Sequence, residues 1–175
     1  MKYYFTISAV AIMAMILTAF TSMKLYEDNE AKISNEIPSL LIETLDGNSV
    51  NTKDIIKSGE PTLLVFWATC CAPCKQELTT ISNVYDSWKN KTGINVVAVS
   101  VDLPQYANGV EPFVNKAGWE FDIFLDGKRE LMHAMNAEST PHSFLINRSG
   151  EVVWQKSGFV SGDEAVIYQE IKKII

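Results

Sequence analysis

Val65-Phe66-Trp67-Ala68-Thr69-Cys70-Cys71-Ala72-Pro73-Cys74-Lys75 joins two different sequence patterns. The run Leu63 to Trp67 is continuously apolar and reads as a buried strand. Beyond it, Leu78, Ile81, Val84, Tyr85 and Trp88 recur at spacings of three and four, which is one face of a helix. The cysteines therefore fall where a strand ends and a helix begins. Backbone N–H groups without intrahelical partners and the positive end of the helix dipole meet there and favour an anion. A thiolate is such an anion, so this position predicts a lowered thiol pKa. Cys71 and Cys74 stand one helical turn apart, close enough for their sulfurs to bond. A pair of this kind can take a disulfide from a partner and return it.

Length and composition narrow the field further. A chain of 175 residues has room for one well-cored domain plus a terminal extension. Hydrophobic residues make up 47% of it, which excludes a disordered chain. The net charge is −6 and the basic residues are scattered, which speaks against nucleic acid as a partner. All three cysteines lie within five residues and cannot form a stapling framework, so their role is redox chemistry or metal binding.

Taken in order, Met1-Lys2 precedes a stretch, Tyr3 to Met23, without a charged residue. Residues 1–23 read as a retained membrane anchor or a cleaved export signal, and the lack of an A-x-A site favours retention. Either way the remainder is expected outside the cytoplasm. Residues 24–36 are polar and read as a linker, and residues 37–175 as the folded domain. Asp46-Gly47 between two short extended runs predicts a hairpin. Ile94 to Val101 reads as a second buried strand, so strand, helix and strand imply a right-handed parallel crossover. Asp102 to Gly109 reads as a loop, and a helix is expected over Val110 to Ala117. A strand at Phe121 to Leu125, a short helix from Lys128 to Met135 and strands at Ser143 to Ile146 and Val152 to Gln155 follow. The last helix, from Asp163, is expected to bury Val166, Ile167, Ile171 and Ile174 on one face. The expected fold class is α/β, a mixed central sheet flanked by helices on both faces.

From Ile37 to Ile175 the sequence resembles the thioredoxin superfamily, most closely its exported TlpA-like branch. That branch includes the thiol–disulfide oxidoreductases of cytochrome c maturation. The resemblance rests on Phe66-Trp67-Ala68-Thr69, Cys71-Ala72-Pro73-Cys74, Glu77, Val97 to Asp102, Thr140-Pro141 and Phe144 to Gly150. It implies a thioredoxin fold with an N-terminal β-hairpin extension. It also implies an enzyme of the periplasm or the outer face of the membrane that reduces disulfides in exported proteins. Its only redox group would be the Cys71–Cys74 disulfide, with no further cofactor and no metal. A membrane electron donor would recharge it.

Cys71 is then the nucleophile, and Cys74 resolves the mixed disulfide. Pro73 tunes the pair by removing an N–H and narrowing the geometry. Glu77, three residues past Cys74 on about the same helix face, is the proton relay of the TlpA-like enzymes; the alternative is a first-turn glutamate that complements the dipole. Thr140 and Pro141 resemble a cis-proline loop that offers backbone to a substrate strand. His142 follows, at the edge of the site, where its charge would steady the Cys71 thiolate. Trp67 is expected in the core beside the cleft. Two positions depart from the family pattern. Cys70 replaces the usual tryptophan and is expected to fill that space as a small apolar residue. Val65 stands where thioredoxins bury an acid. Other readings are a Sco-like copper chaperone using Cys70, Cys71 or Cys74 with a histidine, and a peroxide-reducing enzyme, for which the Thr-x-x-Cys pattern is missing.

Overall fold

The computed structural model describes residues 35–175, which cluster as one compact unit. The anchor or signal assigned to residues 1–23 and the linker up to residue 34 lie outside the described residues. A single seven-stranded sheet runs β2-β1-β5-β4-β3-β6-β7. Its strands are β1 (Leu41–Thr44), β2 (Ser49–Asn51), β3 (Thr62–Trp67), β4 (Asn95–Ser100), β5 (Asp122–Leu125), β6 (His142–Ile146) and β7 (Val152–Ser157). Five α-helices join them: α1 (Thr52–Ile55), α2 (Ala72–Thr92), α3 (Val110–Ala117), α4 (Glu130–Ala134) and α5 (Asp163–Lys172).

The parallel centre follows from the sequence of β3, α2 and β4. Both strands are buried along their whole length, as expected where helices cover both faces. β3 pairs parallel with β4 and antiparallel with β6, so it lies at the middle of the sheet. Leu63, Val65 and Trp67 point to the face covered by Leu78, Ile81, Tyr85 and Trp88 of α2 and by Ile167 and Ile171 of α5. Leu64 and Phe66 point to the other face, against Ile55 of α1 and Leu131, Met132 and Met135 around α4. Each such fully buried large side chain contributes about 1.5–3 kcal/mol.

Three expectations change. Pro104–Gly109 forms a 3-10 helix rather than an open loop. Val166 is exposed, because the 3.6-residue period turns α5 onto Ile167 and Ile171 and carries Val166 around to solvent. The strand after Pro141 begins at His142, one residue earlier than the apolar run indicates.

Candidate active site

The carboxyl ends of β3 and β4 and the amino end of α2 meet at the cysteines. Cys71 is the N-cap of α2; its backbone is extended, and its Sγ lies 3.3 Å from the Cys74 backbone nitrogen, whose N–H points at it. That contact places the sulfur among the unpaired N–H groups of the first turn, where negative charge is favoured. Pro73, in the first turn, supplies a fixed φ and lacks the N–H that would have no partner there. The helix ends at Gly93, whose left-handed backbone (φ 71°) lets its N–H reach the Lys89 carbonyl.

Cys71 and Cys74 form a disulfide. Cys71 is half-buried and Cys74 wholly buried, so only the first sulfur is open to a partner. Trp67, also wholly buried, lies in the same cluster as Cys74 and packs edge-on against Trp119 at 5.0 Å. It forms part of the floor of the site.

Glu77 lies on the same face of α2 as Cys74 and is only 1% exposed. Ser143 of β6 donates its Oγ–H to Glu77 Oε1 at 2.6 Å, while Oε2 is buried with no partner among the described residues. Burial pushes the Glu77 carboxyl up from 4.5 to about 7. The Ser143 hydrogen bond and the charge of Lys156 pull it back in part, and Asp163 pushes it up. Val65 lies directly opposite Ser143 in the β3–β6 register. Glu77 thus meets β6 at the position that faces Val65 across the sheet.

The Thr140–Pro141 bond is cis. Pro141 is buried and Thr140 half-buried, and the Pro141 carbonyl accepts the Gly158 N–H at 2.8 Å. Lys156 donates to the Gly158 carbonyl at 2.9 Å and pairs with Asp163 at 2.6 Å. This chain of contacts ties the cis-proline loop to the charges around Glu77.

Two expectations about the site are corrected. Cys70 is exposed and free, so it does not fill a core space left by tryptophan; the turn before α2 carries its side chain outward. His142 belongs to β6 and not to the loop before it. It is 8% exposed in β6, its Nε2 meets Gln155 Oε1 at 3.1 Å, and its ring stacks on Phe144 at 4.6 Å. Side chains alternate along a strand, so His142 and Phe144 face away from Ser143 and Glu77. Among the described residues, no three His, Cys, Asp or Glu side chains converge as a metal-binding group. No helix among them is long and apolar enough to cross a membrane.

Sequence reasoning missed two contributors. Ser143 is the first; a small hydroxyl at an inward position of a buried strand requires a partner, which is the available signal. The second is Asp102, noted only as part of a family motif. Its carboxylate accepts from Thr69 N–H at 2.8 Å, Thr69 Oγ at 2.7 Å and Ser100 Oγ at 2.8 Å. It thereby clamps the turn that leads to Cys71.

A profile of the AhpC/TSA family matches residues 33–155. The chain belongs to the AhpC/TSA family. The thiol-disulfide oxidoreductase ResA of Bacillus thuringiensis (strain Al Hakam) is 30% identical over 168 residues, covering 93% of each chain. Among solved structures, an uncharacterized thioredoxin-like protein from Porphyromonas gingivalis superposes with a TM-score of 0.73 at 31% identity, covering 81% of this chain and 93% of that one. A putative thiol:disulfide interchange protein DsbE from Chlorobium tepidum gives 0.69 at 28% identity, covering 81% and 96%. This AhpC/TSA member is a thiol–disulfide oxidoreductase of the thioredoxin fold.

Proposed function

We propose that this oxidoreductase reduces disulfides in exported proteins, through Cys71 and Cys74 with Glu77 as proton carrier. The observation that carries the reading is a half-buried sulfur at a helix amino end, bonded to a buried one, with a buried carboxyl of raised pKa on the same face. In the reduced protein the Cys71 thiolate attacks a partner disulfide. The partner's S–S bond breaks, one partner sulfur leaves as a thiolate, and Cys71 carries the other. Cys74 then loses its proton to Glu77 Oε2 and attacks Cys71 Sγ. The second partner thiol is released and the Cys71–Cys74 bond closes, so two electrons have passed to the partner.

The cis-proline loop supports docking of an extended substrate segment, which would pair with the backbone at Thr140. The cysteine pair is itself the redox group, and the exchange needs no bound cofactor. In this reading the enzyme works as a reductant outside the cytoplasm, with apocytochrome c as one substrate and a membrane electron donor to recharge it; the likeness to ResA and DsbE proteins supports the thiol–disulfide chemistry, and the uncharged stretch Tyr3 to Met23 supports the location. A Cys74→Ser variant tests the exchange. It should hold a substrate protein as a mixed disulfide through Cys71; absence of any adduct, with no dithiol-dependent reduction of insulin by the wild type, refutes it.

A further inference from the structure

Glu77 has two oxygens, and the fold treats them differently. Oε1 is taken by the Ser143 hydroxyl at 2.6 Å, and Oε2 is buried and unpartnered among the described residues. Ser143 is itself only 2% exposed, and it sits two residues beyond Pro141 in the strand that the cis-proline loop leads into. A buried carboxylic acid with one oxygen fixed as an acceptor has only the other free for a proton. We propose that Ser143 is a positioning residue for the exchange reaction: it pins Oε1 so that Oε2 is the atom that exchanges a proton with Cys74. This rests on the reading of Glu77 as proton carrier and names the side chain that makes it one.

The same bond sets how readily the carboxyl ionises. A hydroxyl donating to a carboxylate stabilises the charged form, whereas burial destabilises it. The other charges facing Glu77 are Lys156 of β7 and Asp163 of α5, which are paired with each other at 2.6 Å and act in opposite directions. Cys74 lies about one turn before it on the same buried side of α2. Removing the Ser143 hydroxyl leaves Lys156, Asp163 and Cys74 in place and takes away only the hydrogen bond.

The test is the pH profile of single-turnover insulin reduction by the reduced full chain, from pH 5 to 9. The Glu77 limb is the one that disappears in Glu77→Gln. Ser143→Ala should move that limb up by about one pH unit, so that the ratio of ionised to protonated carboxyl falls about tenfold at a given pH. Ser143→Thr, which keeps the hydroxyl, should restore the limb to its wild-type position. Ser143→Val, shaped like threonine without the hydroxyl, should behave as Ser143→Ala; this pair decides the matter if the alanine variant folds poorly. A Glu77-dependent limb that stays in place in Ser143→Ala, or that moves equally in Thr and Val variants, overturns the positioning role alone. A profile unchanged by Glu77→Gln overturns both this role and the proton-carrier reading. An unchanged Cys74→Ser trapping result alongside it leaves the dithiol exchange standing.

Discussion

Replacing Glu77 with glutamine should flatten the dependence of stability on pH between about 4.5 and 7. The wild-type carboxyl has an ordinary value of 4.5 in the unfolded chain and about 7 in the folded one. Between those values the folded protein holds a proton that the unfolded chain has released. The stabilising contribution is therefore complete below pH 4.5 and is lost as pH rises to about 7 and beyond. The gap corresponds to about 3 kcal/mol. Glutamine keeps an acceptor for Ser143 but places an NH2 where Oε2 lacks a partner, which costs about 1–3 kcal/mol at every pH. The slope, and not the absolute stability, is thus the diagnostic quantity. Asp126, whose carboxyl is also raised by burial, and Asp163, held low by Lys156, contribute in both proteins and drop out of the difference. Urea unfolding of the oxidised proteins at half-unit steps from pH 4.5 to 8.5 measures it. Wild type should lose about 3 kcal/mol relative to the variant across the range. Parallel curves would show that burial does not hold the Glu77 proton, and the proton-carrier mechanism would fall with it.

Other substitutions test the rest of the site. Cys70→Ala should alter stability by no more than about 0.5 kcal/mol and leave insulin reduction intact, because the side chain is exposed and free; loss of activity would give that thiol a role. Trp67→Ala should cost roughly 3–5 kcal/mol in urea unfolding, from the cavity left among Cys74, Phe113 and Trp119. Asp102→Ala should cost about 3 kcal/mol by stranding the Thr69 and Ser100 donors. The same variant should slow Cys71 alkylation or exchange measurably, since the turn before Cys71 loses its clamp.

Much of this architecture can be read from local patterns. The run Leu63 to Trp67 and the spacing of Leu78, Ile81, Tyr85 and Trp88 locate β3, α2 and the cysteine junction, because burial imposes its period on contiguous residues. Cys74 lies four residues before Leu78, which already places it on the inward face of α2. What the sequence hides is pairing across distance. Ser143 and Glu77 are 66 positions apart, and only the register of β6 against β3 brings them together. Counting His142 into β6 gives its side chain the alternation of the strand, which puts it on the face opposite Ser143. Cys70 is similar: the two turn residues Thr69 and Cys70 carry no period, so nothing local shows which way its thiol points.

The most direct test is an equilibrium redox titration of the full chain, with free thiols alkylated and counted by mass at each potential. Cys71 and Cys74 should open and close together in a single two-electron step within about −270 to −120 mV, towards the lower end for a reductant, with Cys70 alkylated throughout. A pair that stays closed, or open, at every potential in that window would contradict thiol–disulfide exchange as the chemistry of this site.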